Sequence, residues 1–316
     1  MSDAPAPSAL HGKRGLLLSV VLFVLTFLST SYVGAASWTN TTLPLREFWR
    51  GFPYSVPLMA ILLAHELGHY IAARIHRVPA SPPLFVPVPV QPLGTMGAVI
   101  LMPNRIARRD ALLDIGAAGP LAGLAVALPV LVYGLIHSPV RASPPGMVLQ
   151  EGHSLLYVAL LYLTKGPIPD GQDIQLSPTA FAGWAGLLVT MINLIPAAQL
   201  DGGHVAFALF GERQERYSRL VRALLLPLAL CVSLYYGLSA WFHGATGGAL
   251  SSQFAPGTQW LLWWLLLRML ARAGHREHPP TDDHVLSPRR KLVACFTLAL
   301  FVLLFMPAWL REVPGG

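Results

Sequence analysis

The chain has 316 residues, with 22 lysines and arginines against 15 aspartates and glutamates, which gives a net charge of +7. Charged residues are only 12% of the sequence and hydrophobic residues are 54%, whereas an ordinary soluble domain has roughly 25% charged residues. Disorder is excluded, and long apolar runs interrupt the small basic excess, which argues against a nucleic-acid binder. Cys231 and Cys295 are too few for a disulfide framework or a thiolate zinc site. The remaining class is an all-α polytopic membrane protein.

A transmembrane helix needs about 20 mostly apolar residues. The sequence predicts about seven such helices, at roughly 15–35, 54–76, 111–137, 177–198, 219–242, 257–271 and 291–309. Residues 154–163 are apolar but too few to span, which favours a helix lying at the membrane interface. The first span also resembles a secretory signal, but its apolar stretch of about 20 residues exceeds the usual length of a signal core, which favours a retained anchor.

Residues 84–102 are apolar but differ in kind from the predicted spans. They contain three residues that would break a helix, Pro87, Pro89 and Pro92. Valines alternate with these prolines, and Gly94 and Gly97 follow. The pattern predicts a re-entrant β-hairpin, in which extended segments dip into the membrane and return on the same side. Such backbone is tolerated at membrane depth only against protein or water.

Basic residues between the spans predict the orientation, because cytoplasmic loops are enriched in Lys and Arg. With a cytoplasmic N-terminus, six basic clusters lie on the cytoplasmic side, provided that 82–103 enters and leaves on one side. Arg46 and Arg50, in the first outer loop, are a small exception. We therefore expect a multi-pass protein of the cell (inner) membrane. The six clusters are Lys13 and Arg14; Arg74 and Arg77; Arg105, Arg108 and Arg109; Arg213, Arg216 and Arg219; Arg268, Arg272 and Arg276; and Arg289, Arg290 and Lys291.

The second predicted span contains the HExxH motif, with His65, Glu66 and His69. Histidines at i and i+4 lie on one face of a helix, so both imidazoles can reach one metal ion. Glu66 can reach a water molecule at that metal without being a ligand. Roughly 0.008 chance occurrences are expected in a chain of this composition. The alternative is a polar patch between helices, but an ionisable residue inside a span costs about 2.5–3.5 kcal/mol or more.

A catalytic zinc ion usually has three protein ligands, so a third must come from elsewhere. Asp201, in the segment NLIPAAQLDGGH at 193–204, is the outstanding carboxylate at membrane depth. Pro196 would end the fourth predicted span, and Gly202 and Gly203 would permit a sharp bend that turns Asp201 inward. The alternative is that Asp201 caps a helix that starts near Gly202.

Other candidate ligands remain open at this stage. Asp114, at the start of the third span, competes with Asp201, although its nearness to Arg108 and Arg109 favours a paired interfacial carboxylate. His204 could lie beside the metal or on a helix surface. Both cysteines lie in apolar runs and are expected to be core residues rather than ligands.

The HELGH motif in one predicted span, followed by NLIPAAQLDGG in a later one, closely resembles the site-2 protease family of intramembrane zinc metalloproteases. The segments 94–100 and 116–123 are similar to that family's re-entrant hairpin and small-residue third core helix. The resemblance covers roughly 54–211. It implies three domains: an N-terminal segment and anchor helix at 1–53, a catalytic membrane core at 54–211, and accessory transmembrane helices at 212–316.

This resemblance also implies a three-helix zinc core that holds one Zn²⁺ per chain. His65, His69 and Asp201 would be the metal ligands, and Glu66 would be the catalytic base. Asn193 would bind the substrate backbone or the oxyanion. The expected substrates are single-span membrane proteins, cleaved in or near their transmembrane segments in the lipid bilayer by regulated intramembrane proteolysis.

Two alternatives from other functional classes remain. A membrane metal transporter would also place histidines and an aspartate at mid-membrane; it predicts metal flux and no need for Glu66. An inactive scaffold that binds membrane proteins predicts no metal and tolerance of changes at His65. The intact HExxH motif argues against the scaffold, and the single closed site argues against the transporter.

Overall fold

The computed structural model describes residues 12–38, 46–102, 106–142, 146–169, 171–273, 281–282 and 285–314. These residues are mostly helical and contain six short strands. The helices are α1 (Lys13–Trp38), α2 (Phe52–Ile75), α3 (Arg109–Ile136), α4 (Leu155–Lys165), α5 (Pro178–Asn193), α6 (Asp201–Phe210), α7 (Gln214–Phe242), α8 (Gly247–Ser252), α9 (Thr258–Ala273) and α10 (Pro288–Leu304). The strands are β1 (Leu84–Pro87), β2 (Thr95–Val99), β3 (Val140–Ala142), β4 (Met147–Glu151), β5 (Gln172–Ile174) and β6 (Leu310–Pro314).

Four helical segments of the described chain are long and apolar enough to cross a membrane. A helix also occupies each of the seven spans predicted from the sequence, but α5, α9 and α10 have 16, 16 and 17 residues. At 1.5 Å per residue they are about 24–26 Å long, shorter than a typical hydrocarbon core. The protein is therefore a mostly helical integral membrane protein with four candidate spans: Lys13–Trp38, Phe48–Ile75, Arg109–Ile136 and Asp201–Phe242.

The core is formed by α2, α3 and α5, which pack closely against one another. Glycines allow the helix backbones to approach: a Cβ on Gly134 would lie 2.3 Å from the Ala180 nitrogen, and one on Gly183 would lie 2.6 Å from Leu131 Cα. Tyr54 of α2 and Trp184 of α5 are fully buried in this core. The three helices thus form a rigid frame for the side chains that α2 directs inward.

Strands β1 and β2 form an antiparallel hairpin, with Leu84 opposite Val99 and Pro87 opposite Thr95. Its base is closed by Ser81: the Ser81 N–H donates to the Leu101 carbonyl at 2.9 Å, and the Leu101 N–H donates to Ser81 Oγ at 2.9 Å. The chain therefore enters and leaves the hairpin at the same end.

Helix α1 holds the hairpin along one side. Ser19 Oγ donates to the Pro83 carbonyl at 2.5 Å, and Ser29 Oγ donates to the Gly94 carbonyl at 2.6 Å. Gly94 has a φ of +77°, and a Cβ there would lie 2.9 Å from Thr30 Cα, so this contact requires glycine. Because Ser19 and Ser29 are ten residues apart, the hairpin follows α1 for about 15 Å.

Two further two-stranded sheets lie at the end of the bundle where α1 and α3 end and α2 and α5 begin, which we call the outer end. Strands β3 and β5 pair with Arg141 opposite Asp173. Strands β4 and β6 pair from Met147 opposite Pro314 to Glu151 opposite Leu310. The sheet of β4 and β6 pairs the segment before α4 with the segment after α10, and so it holds the end of α10 against the core.

The expectation that both cysteines are core residues is wrong. Cys231 of α7 and Cys295 of α10 are free and exposed. Their neighbours Leu230 and Phe296 are exposed as well, at 60% and 54%. A helix in a membrane is apolar on its lipid-facing side as well as on its packed side, so an apolar run does not tell the two faces apart.

Candidate metal centre

Three side chains from two helices converge in the core. His65 and His69 lie on one face of α2, and Asp201 is the first residue of α6. The two Nε2 atoms are 3.2 Å apart, and Asp201 Oδ2 lies 3.3 Å from that of His65 and 3.2 Å from that of His69. Both histidines are buried, at 4% and 7% exposure. Among the described residues, this is the one group of three or more His, Cys, Asp or Glu side chains arranged to hold a metal ion.

The spacing of these three atoms fits a zinc ion. A tetrahedron with metal–ligand bonds of about 2.0 Å has edges of about 3.3 Å. His69 Nδ1 lies 2.8 Å from the Ile115 carbonyl, and donation to that oxygen leaves the lone pair of Nε2 directed into the site. His69 Nε2, His65 Nε2 and Asp201 Oδ2 then face one another, and two imidazole nitrogens with a carboxylate oxygen are the donor set of a cation site. His65 Nδ1 is buried with no hydrogen-bond partner among the described residues.

Asp201 reaches the histidines because the chain bends between α5 and α6. The prediction that Pro196 ends the helix is confirmed, since α5 ends at Asn193. The bend uses Ala198 at a φ of +50°, and its N–H donates to Ser218 Oγ of α7 at 3.1 Å. The alternative role of Asp201 as a helix cap is not seen: Leu200 is the N-cap residue, and no side-chain cap bond forms.

Gly202 and Gly203 do not form the bend, contrary to expectation, because they lie inside the first turn of α6. They instead let that turn pack directly on the preceding loop. A Cβ on Gly202 would lie 2.1 Å from the Leu194 carbonyl oxygen, and one on Gly203 would lie 2.2 Å from that of Ala198. Close packing of α6 on this loop fixes the position of Asp201.

Glu66 and Asn193 both lie next to the three converging atoms. Glu66 is buried at 6% exposure and interacts electrostatically with both histidines and Asp201. Asn193 is the last residue of α5, and its Nδ2 lies 3.5 Å from His65 Nε2. The structure therefore brings together all five residues singled out from the two motifs.

Two glycines of α3 form the surface on which the histidines rest. A Cβ on Gly119 would lie 2.0 Å from His69 Nε2, and one on Gly123 would lie 3.1 Å from His65 Cβ. The sequence indicated close helix packing here but not which residues are packed. The sequence does contain an indication of these contacts: the two glycines are four residues apart on one helix, and the two histidines are four residues apart on its antiparallel neighbour.

Asp114, the competing ligand, is not one of the three converging residues. It is a paired carboxylate, as predicted, but its partners are not the expected ones. His76 Nε2 lies 2.8 Å from Asp114 Oδ2, and Arg290 of α10 donates to the same oxygen at 2.7 Å. Arg108 instead pairs with Asp110, and Arg109 donates to two carbonyls at the C-terminal end of α6, those of Ala208 and Leu209.

His204 packs against α3 one turn after Asp201. A Cβ on Gly116 would lie 3.0 Å from His204 Cβ. His204 is not one of the three residues that could hold a metal ion. It lies in the interface between α6 and α3 rather than on an open helix surface.

Comparison with known proteins assigns the family. The profile described as "Peptidase family M50" matches residues 53–235. "Probable zinc metalloprotease EGY2, chloroplastic" of Arabidopsis thaliana is 30% identical over 259 residues, which cover 81% of this chain and 41% of that protein. "Probable zinc metalloprotease EGY1, chloroplastic" of the same plant is 28% identical over 321 residues, covering 93% and 53%. The rice (Oryza sativa subsp. indica) EGY2 protein is 36% identical over 190 residues, covering 58% and 34%. No solved structure matches the chain.

This chain spans about a third to a half of the length of these curated relatives. The family match covers more than half of the chain, and it includes the HExxH motif, Gly119 and Gly123 of α3, and Asp201. The chain belongs to peptidase family M50, the site-2 protease family of zinc metalloproteases.

Proposed function

We propose that this protein is an intramembrane zinc metalloprotease that hydrolyses peptide bonds in or near the transmembrane segments of single-span membrane proteins. The observation that carries the proposal is the placement of Asp201 within 3.3 Å of both histidines of the HExxH helix. Residues 54–211 would form the catalytic membrane core. Residues 1–53 would provide the anchor helix, and 212–316 the accessory helices.

His65, His69 and Asp201 would hold one zinc ion. A zinc ion in such a site polarises a carbonyl group and lowers the pKa of its water to about 7. The chain's own residues then handle protons and orientation. Glu66 takes a proton from the attacking water and passes it to the leaving amine. Asn193 Nδ2 donates a hydrogen bond to the substrate carbonyl as negative charge develops on its oxygen.

The hairpin and the shorter helices complete the membrane arrangement in this proposal. Because β1 and β2 follow α1 for about 15 Å of a candidate span, we place the hairpin within the membrane as a re-entrant element. Strand β1 lies against α1, which leaves β2 as the edge on which an extended substrate could pair. Helices α5, α9 and α10 would be the remaining three spans of seven.

In this proposal the N-terminus lies in the cytoplasm, together with the end of the bundle opposite to the outer end. The outer end, with the two small sheets, faces the opposite side. Of the predicted basic clusters, Arg105 and Arg276 lie outside the described residues. The relatives named above are chloroplastic, and a cell inner membrane for this chain stays a prediction.

Cysteine labelling tests the orientation and the hairpin together. In a background without Cys231 and Cys295, we expect Arg77→Cys and Arg108→Cys to react with a membrane-impermeant maleimide from the cytoplasmic side. These positions flank the hairpin, whose two ends meet at Ser81 and Leu101. Lys165→Cys, at the outer end, should react only from the other side. Labelling of position 108 from outside would mean that 84–102 crosses the membrane.

Removal of one metal ligand should abolish zinc binding. We expect Asp201→Ala to lose its zinc, because one of three protein ligands is gone and two imidazoles remain. Asp114→Ala is the matched control, since Asp114 pairs with His76 and Arg290 instead. Zinc per chain, measured by mass spectrometry of purified protein, checks this. Full occupancy in Asp201→Ala with loss in Asp114→Ala would contradict the assignment.

A further inference from the structure

A cavity of about 680 Å³ lies at the outer end of the bundle, away from the metal centre. Its volume is within the roughly 300–1,000 Å³ of ligand pockets. The walls come from four places: the end of α1, the hairpin turn at Gln91 and Pro92, the start of α5, and both small sheets. Trp38 and Phe181 give it aromatic surface, and glutamines line it beside them.

The walls suit an extended polypeptide. Each of the two sheets has only two strands in the described chain, so β3, β4, β5 and β6 each have an edge without a strand partner. Gln150 joins the sheets by donating from Nε2 to Asp173 Oδ2 at 3.4 Å. An extended segment placed between them can add to a strand edge through its backbone and place alternate side chains on the aromatic and polar walls.

Among the described residues that line the cavity, Arg141 is the basic side chain, and Glu151 and Asp173 are the acidic ones. Tyr157 OH donates to Glu151 Oε1 at 2.6 Å, and burial raises the pKa of the Glu151 carboxyl. Asp173 already accepts from Gln150 and from the Ile174 N–H. Arg141 is exposed, and within the described residues its guanidinium has no ion-pair partner. A carboxylate in the cavity would give it one.

The hairpin connects this cavity to the metal centre. Tyr54 OH donates to the Leu93 carbonyl at 2.9 Å, which places the hairpin turn at the level of Tyr54 on α2. His65 follows eleven residues later on the same helix, about 17 Å away along its axis. An extended chain covers this distance with about five residues. Strand β2, which starts just after the turn, is five residues long.

We infer that the outer cavity is a docking site for the segment of the substrate just outside its transmembrane helix, an extended peptide with an acidic side chain that pairs with Arg141. This inference rests on the proposed function. The docked segment continues along β2 for about five residues and so sets which peptide bond reaches the metal centre. Arg141 and Leu149 are positioning residues here, since neither lies at the three-atom cluster.

Two designed single-span substrates test this inference with zinc-loaded protein in liposomes. They share one transmembrane helix and one cytoplasmic reporter. The first has an outer segment of alternating apolar and polar residues with one glutamate, and the second has a Gly-Ser segment of the same length. With wild-type protein, we expect KM to be about tenfold lower for the first substrate, which corresponds to roughly 1.4 kcal/mol, at unchanged kcat.

Substitutions in the cavity should remove this difference. Arg141→Glu should raise KM for the first substrate to that of the second, and a lysine in place of the substrate's glutamate should restore it. Leu149→Trp should fill the cavity with the same effect on KM; Leu149 is 56% exposed, so the fold should tolerate it. Lys165→Glu and Gln172→Trp are the matched controls, because both positions lie outside the cavity; Lys165 is half-buried and Gln172 is exposed.

The outcomes separate the two proposals. Equal KM values for both substrates with wild-type protein would overturn the docking site and leave the protease intact, because both substrates would still be cleaved. An Arg141→Glu or Leu149→Trp variant that keeps the wild-type preference would overturn it as well. Cleavage of neither substrate would overturn the proposed function and the docking site with it.

Discussion

We expect the Glu66→Gln variant to keep its fold and its zinc but to cleave about 10²–10⁴-fold more slowly than the wild-type protein. Glu66 is buried beside the metal centre, yet its carboxylate is not one of the three converging ligand atoms. Glutamine has nearly the same shape, but it does not accept a proton at neutral pH. The measurement is the cleavage rate of a reconstituted single-span substrate, together with zinc per chain.

Glu215→Gln is the matched control, because Glu215 lies exposed in the first turn of α7. It should cleave at the wild-type rate. Uncleaved substrate should accumulate only with the Glu66 variant. A Glu66→Gln protein that cleaves near the wild-type rate would remove Glu66 from the mechanism. A wild-type protein that carries zinc across vesicle membranes but cleaves no substrate would favour a metal transporter.

We expect the Gly119→Ala variant to fold but to lose zinc. The added Cβ would lie 2.0 Å from His69 Nε2, well inside contact distance. The imidazole ring can rotate away at little cost to the fold, and alanine is about 1 kcal/mol more favourable than glycine in a helix. Rotation removes His69 from the metal, so zinc affinity should fall by at least the 10–100-fold typical of a lost supporting contact.

Gly123→Ala is the matched control on the same face of α3. Its Cβ would lie 3.1 Å from His65 Cβ and 3.2 Å from His65 Nδ1, so a shift of a few tenths of an ångström accommodates it. We therefore expect the two variants to unfold at similar temperatures, whereas only the Gly119→Ala variant should lose zinc. If Gly119→Ala retains zinc as tightly as Gly123→Ala does, the packing of α3 does not hold His69 in place.

Local motifs carried most of what the sequence could predict about the site. The position of His65 and His69 on one helix face follows from their spacing, and Pro196 marks the end of α5. The contact between Gly119 and His69 joins residues 50 positions apart, and the matching four-residue spacing of the glycines and the histidines is the one indication of it in the sequence. The partners of Asp114 show the same limit, because His76 and Arg290 come from distant parts of the chain. The nearby Arg108 pairs with Asp110 instead, and Arg109 donates to the Ala208 carbonyl.

For the fold, the sequence predicted where the helices lie better than where they end or which side of each is exposed. A helix lies in each predicted span because long apolar runs leave few other structures in a membrane. Hydropathy alone does not locate the helix ends: the span predicted at 177–198 ends as a helix at Asn193, three residues before Pro196. The exposed Cys231 and Cys295 show that composition alone does not distinguish a lipid-facing side from a packed one.

The serines of α1 bear on whether the first helix could be removed by a signal peptidase. Ser19 and Ser29 supply hydroxyl donors to the Pro83 and Gly94 carbonyls. Removal of α1 by a signal peptidase would leave the Pro83 carbonyl without its donor, at a cost of roughly 1–3 kcal/mol, whereas the Gly94 carbonyl would still accept from the Val88 N–H. It would also uncover Phe85, now 2% exposed, which packs edge-on against Phe23 of α1. Processing after residue 36 would thus destabilise strands β1 and β2, which favours a protein that keeps its first helix.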